Sequence, residues 1–241
     1  MRFLALAVGL FGLLAATPPR DLVYAYTFES DRADEADKAY GVDKMDPGGG
    51  GTFIFHNVNQ HFIAPGFDGP QSRSGRIDVR LLREESDGGI VVSVSESPAT
   101  ANGPLTCVAF GDTTVVCDPS RPVPPEVSTL VATLGQGFVD AARLDAARHW
   151  HVAPEGTYGT AADYAIVRST GNVLEISENG VRTQSASPLT TTIGAKIEYD
   201  SARSIPITLD ATTVEHAYRG AISETISTHV MLTLEADAPL R

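Results

Sequence analysis

Apolar and polar residues alternate with a period of two along most of this chain, the pattern of strands with one buried face. Leu22, Tyr24, Tyr26 and Phe28 share one parity in LVYAYTF. Ile77, Val79 and Leu81 alternate with Arg76, Asp78 and Arg80, Ser86-Asp87-Gly88-Gly89 turns the chain, and Ile90, Val92 and Val94 return, so residues 75–97 read as a hairpin. Tyr164 to Arg168 and Val173 to Glu178 flank a second turn, Ser169-Thr170-Gly171-Asn172. Asn179-Gly180 predicts a type I′ turn leading into Val181–Ser185. Ile193, Ala195, Ile197 and Tyr199 alternate with Gly194, Lys196 and Glu198; Ile205, Ile207 and Leu209 follow, with Pro206 pointing to an edge strand. Ile222, Ile226, Val230, Leu232 and Leu234 share the predicted inner parity of a long last strand, with Glu224 and Thr228 as polar intruders. Ser223, Thr225, Ser227, His229 and Thr233 take the other parity, and a strand of this length needs a strong curl.

The period changes once. After Pro122, Pro124 and Pro125, the residues Val127, Leu130, Val131, Leu134, Phe138 and Ala142 recur at helical spacing. This predicts one amphipathic helix over 125–145, with Gly135 and Gly137 placed to kink or split it. Asp31 to Gly51 is polar and ends in four glycines, which reads as an excursion from the sheet. Thr52 to Ile63 is extended without a clean face, suggesting a bulge or burial on both sides. The expected fold is mainly β (α+β): a curved antiparallel sheet or half-barrel wrapped around one central helix, in a single domain over 17–241.

Ahead of the first strand, Phe3–Ala16 runs without a charge behind Arg2. At about 1.5 Å per residue it spans about 21 Å, short of a membrane core of about 30 Å. This is the layout of a signal peptide over 1–16, with cleavage expected after Ala16 and an uncleaved anchor as the alternative. The expectation is an exported protein, periplasmic or extracellular, with no membrane span after cleavage. A formal net charge of −12 argues against nucleic-acid partners, because an acidic chain repels phosphate. Signal peptide, meandering strands, central helix and Thr-rich curved last strand together resemble exported bacterial half-barrel proteins, the lipoprotein-carrier type and several uncharacterised families. The resemblance lies in element order over most of the mature chain and carries no residue assignments. It implies a concave sheet holding an apolar ligand under the helix.

Cys107 and Cys117 are the only cysteines and bracket CVAFGDTTVVC. A three-residue turn at Gly111 to Thr113 sets them directly opposite and allows a disulfide. A two-residue Gly-Asp turn, which local turn chemistry favours, puts them on opposite faces and forbids it. The even count and an oxidising compartment favour the bond; two buried thiols are the alternative.

Candidate chemistry is sparse. On a strand, His149 and His151 share a face with Trp150 on the other, so the pair is a metal candidate that lacks a third ligand. Two solvent-side histidines beside a buried Trp explain the same pattern. His56 and His61 differ in parity. Asp31, Asp34, Glu35 and Asp37 match no calcium loop, and Gly48–Gly51 lacks the Lys-Ser/Thr of a phosphate loop. There is no Gly-x-Ser-x-Gly elbow or Ser-x-x-Lys; Glu84-Glu85 and Asp210 with Glu215 carry no weight without geometry, and His216 and His229 read as surface positions. No catalytic, cofactor-binding or metal residue is assigned, and no cofactor is expected. The leading expectation is a non-enzymatic exported protein that binds an apolar small molecule or an envelope partner inside a curved sheet. The alternatives are an envelope structural or interaction protein with a filled core, and a hydrolase with an unrecognised site.

Overall fold

A computed structural model describes residues 19–36, 71–85, 88–97, 103–111, 114–135, 148–152, 161–184, 189–219 and 222–239. The elements run β1 Arg20–Ala36, β2 Gln71–Glu84, β3 Ile90–Ser97, β4 Leu105–Ala109, β5 Val115–Cys117, α1 Pro125–Gly135, β6 His149–Val152, β7 Ala161–Thr170, β8 Val173–Gln184, β9 Leu189–Asp200, β10 Ile205–Arg219 and β11 Ile222–Pro239. All eleven strands form one antiparallel sheet in the order β5-β4-β3-β2-β1-β11-β10-β9-β8-β7-β6. Every neighbour is sequential except β1 and β11, which pair from Arg20↔Pro239 to Ala36↔Ile222. The sheet is open, and its two edges, β5 and β6, are short strands consecutive in the chain. Short edges present few unpaired backbone groups. The connection between them carries α1, so the helix lies in the one link that passes from edge to edge.

The helix starts where its sequence says it should. Pro125 needs no N–H partner at the first position, and the Ser128 N–H donates to the Pro124 carbonyl at 2.9 Å. Val127, Leu130, Val131 and Leu134 are buried. They pack on the inner side of β3, β4, β5, β10 and β11. The alternating strands bury their expected faces: Leu22, Tyr24, Tyr26 and Phe28 on β1, Ile77, Val79 and Leu81 on β2, Val230 and Leu232 on β11. Fully burying one such aliphatic side chain contributes about 1.5–3 kcal/mol, so these rows supply the core.

Four expectations are corrected. Asn179-Gly180 is not a turn: β8 runs straight through it, with Asn179 opposite Asp163 and Gly194 and Gly180 opposite Ala162 and Ile193. Pairing on both sides satisfies its backbone, and the reversal falls instead between Gln184 and Leu189, which face each other. Asp31–Ala36 are not part of an excursion; β11 runs beside them as far as Ile222 and supplies their backbone partners. Pro206 is not on an edge strand, since β10 lies between β9 and β11. It is tolerated because the ladder shifts register between Pro206 and Thr208, and pairing with β11 begins only at Thr208. That bulge makes Ile207 the extra residue, so Ile205, Ile207 and Leu209 do not form one regular buried row; Pro206 is buried and Ile207 half-buried. The helix is described to Gly135; its expected continuation to 145, the segment Thr52–Ile63, the remainder of the excursion and the signal segment 1–16 lie outside the described residues.

The cysteine hairpin takes the three-residue turn. The Phe110 N–H donates to the Thr114 carbonyl at 2.9 Å, Cys107 pairs with Cys117, and a disulfide joins them. The bond staples the short edge strand β5 to β4.

Candidate functional site

The inner face of the sheet is apolar in the middle and charged at both ends. The middle band crosses every strand: Val94 and Leu105 on one side, Leu22, Tyr24 and Ile77 at the centre, and Ile197, Ile176, Ile166 and Tyr164 on the other. The apolar band continues onto β7–β9, where Tyr164, Ile166, Ile176 and Ile197 are buried as well. There Trp150 of β6 stacks on Tyr164 with ring centroids 5.3 Å apart. The Tyr164 hydroxyl donates to Glu178 Oε1 at 3.0 Å. Burial pushes the Glu178 carboxyl above the ordinary range, and the Tyr164 bond offsets only part of the rise.

One end of the band is closed by a ladder of ion pairs. Asp237 takes Arg20 Nε at 3.1 Å and Arg203 NH1 at 2.9 Å, and Arg203 also holds Asp200 at 2.6 Å. The Arg20 guanidinium donates to the Arg203 carbonyl at 3.2 Å. This network joins the start of β1, the end of β11 and the β9–β10 turn.

The other end holds inner-face charges that pattern reading did not single out. Glu126, in the first turn of α1, is fully buried. Arg73 of β2 meets it in a fork, Nε to Oε1 at 2.8 Å and NH2 to Oε2 at 2.6 Å. The same guanidinium lies over the Phe28 ring, 4.0 Å from its centroid. Glu96 of β3 comes within hydrogen-bonding reach of Glu126; burial and the neighbouring Glu126 charge push its carboxyl up, against the pull of Arg73. Tyr26 completes the group, its ring lying against Gly75, where an added Cβ would stand 2.6 Å from the Ser97 carbonyl oxygen. Farther along β1, Arg32 pairs with the buried Glu224 of β11 at 2.9 Å.

The signal for these charges was parity. Arg73 shares the odd positions of Ile77 and Val79, Glu96 the even positions of Val92 and Val94, and Glu126 the helical row of Leu130 and Leu134.

The metal candidates point elsewhere. His149 and His151 do share a face of β6, and both are exposed. His151 Nδ1 lies 2.7 Å from Asp163 Oδ1 on the neighbouring strand. Among the described residues, no group of three or more His, Cys, Asp or Glu side chains gathers around a point where an ion could sit. His229 and His216 face outward on β11 and β10, His229 beside Asp210 at 2.7 Å and His216 beside Thr225 at 3.0 Å. A shallow depression of about 340 Å³ opens on the convex side and is lined by Arg168, Thr170, Val173, Glu175 and Glu198. Three of its five lining residues, Arg168, Glu175 and Glu198, are charged, unlike those of the inner band. Among the described residues no helix is long and apolar enough to cross a membrane. No protein-family model matches the chain, and no curated protein matches it.

Proposed function

We propose that this is an exported, non-enzymatic binding protein whose concave sheet holds an apolar ligand. One observation carries the reading: a continuous apolar band spans the full width of an open sheet that a helix packs against on its inner side. A continuous apolar interior between a curved sheet and a helix suits an apolar guest. The open edges β5 and β6 would let such a sheet flex around it. The signal-like segment and the disulfide Cys107–Cys117 are compatible with an oxidising compartment outside the cytoplasm.

Native mass spectrometry of the full chain purified from its own cells tests the proposal. The expected result is a retained small molecule that an apolar fluorescent probe can displace. A ligand-free mass together with no probe binding would overturn it in favour of a core filled by the protein's own side chains.

A further inference from the structure

We propose that Arg73, Glu96 and Glu126 form a proton-operated latch that fastens the first turn of α1 to the sheet and loosens it when Glu96 ionises. The latch stands on its own geometry and does not require the face beneath it to hold a ligand.

Three elements meet at this point, each with one charged side chain. Arg73 of β2 gives both arms of its fork to Glu126 of α1, and Glu96 of β3 reaches the same carboxyl. One guanidinium thus serves two carboxyl groups. With a proton on Glu96, the cluster sums to zero charge and Glu96 donates its O–H to Glu126. With that proton gone, two carboxylates share one cation, and Glu126 is fully buried. Like charges this close repel, the more so because Glu126 is shut off from water. The group free to relieve the strain is the end of a short helix, whereas Glu96 and Arg73 sit in paired strands.

Among the described residues, the surrounding elements add Tyr26, Glu215 and Glu224 as further ionisable groups. β1 contributes Tyr26, whose hydroxyl is pushed up by burial and by Glu126. β4 and β5 contribute Leu105, Ala109 and the disulfide. β10 and β11 place Glu215 and Glu224 on the inner parity, and Glu224 is held by Arg32.

The direction distinguishes the latch from a simple ion pair. Glu96 is raised above its unfolded value, so its contribution is fully present below the ordinary glutamate range and is lost as pH rises through the raised value. An Arg73–Glu126 pair acting alone would weaken on acidification and never on going alkaline.

Hydrogen exchange of the full chain from about pH 5 to about pH 9, corrected for intrinsic rates, reads the latch directly in the α1 amides. Protection of α1, referenced to β1, should fall with rising pH by up to about tenfold for each unit by which Glu96 is raised. In Glu96→Gln, which keeps the donor and cannot ionise, α1 should stay protected throughout. Equal pH dependence in wild type and Glu96→Gln overturns the latch. Should that variant not fold, level α1 protection in the wild type overturns it as well.

Discussion

Tyr24 of β1 donates its hydroxyl hydrogen to the carbonyl oxygen of Pro206 on β10, at 2.9 Å and across the intervening β11. The bond caps the place where the β9–β10 ladder slips, so a side chain near the start of the chain satisfies a backbone group at a bulge far along it. Tyr24→Phe leaves that carbonyl buried without its donor. The expected loss is about 1–3 kcal/mol in chemical denaturation. An unchanged midpoint would show that water replaces the hydroxyl.

Alkaline titration should separate the tyrosines. Burial pushes Tyr199 up to about 12, and burial raises Tyr24 further. Both are neutral in the folded protein and ionise near 10 once unfolded, so their contribution is complete below pH 10 and is lost as pH rises toward 12. Ultraviolet difference spectra should show these two hydroxyls ionising only together with loss of the β signal. Complete ionisation in a folded protein near pH 10 would contradict their burial.

Gly75→Ala places a methyl group 2.6 Å from the Ser97 carbonyl oxygen and 3.0 Å from the Tyr26 ring. The carbonyl belongs to a paired strand and cannot step aside freely. A loss of about 1–3 kcal/mol is expected, the usual cost of overpacking. Val79→Ala in the same strand is the contrasting case, since it removes volume and loosens the core without displacing Tyr26.

The inner and outer faces of β11 can be compared directly. Val230 is 2% exposed, and Val230→Asp would bury an unpaired charge and should unfold the protein. Ser227→Asp on the other face should shift stability by less than about 0.5 kcal/mol. Leu232→Ala should cost about 2–5 kcal/mol where the interior is packed, and much less where it borders a cavity. Reversal of the Val230 and Ser227 outcomes would place the strand one residue out of register.

Much of this architecture was legible because strand periodicity is local. LVYAYTF and β2 carry their buried faces in plain alternation, whereas β3 buries both Val91 and Val92. Asn179-Gly180 misled because turn propensity is also local, whereas the decision to run straight was taken by β7 and β9 lying on either side. Pro206 misled for a related reason: a bulge lets a central strand carry a proline, and bulges leave little trace in the alternation. The cysteine turn went against its local chemistry because pairing Cys107 with Cys117 fixed the register. The cluster of Arg73, Glu96 and Glu126 needed a contact across 53 residues, which no pattern within one element reveals. Each of the three nevertheless stood on an apolar row, a position that a charge occupies only with a partner.

The pairing of β1 with β11 sets the order in which this chain can be assembled. The strands β1–β5 form one run of antiparallel neighbours and β6–β11 another, each pairing strands that are consecutive in sequence. Only the last strand joins them, and it does so along the whole length of the first. Until β11 is available, the chain holds two half-sheets, each with a long unsatisfied edge at what becomes the centre of the molecule. Contacts this distant in sequence close slowly, and exposed edges invite pairing with other chains. A newly made copy is therefore most open to pairing with other chains in the interval before its final strand docks.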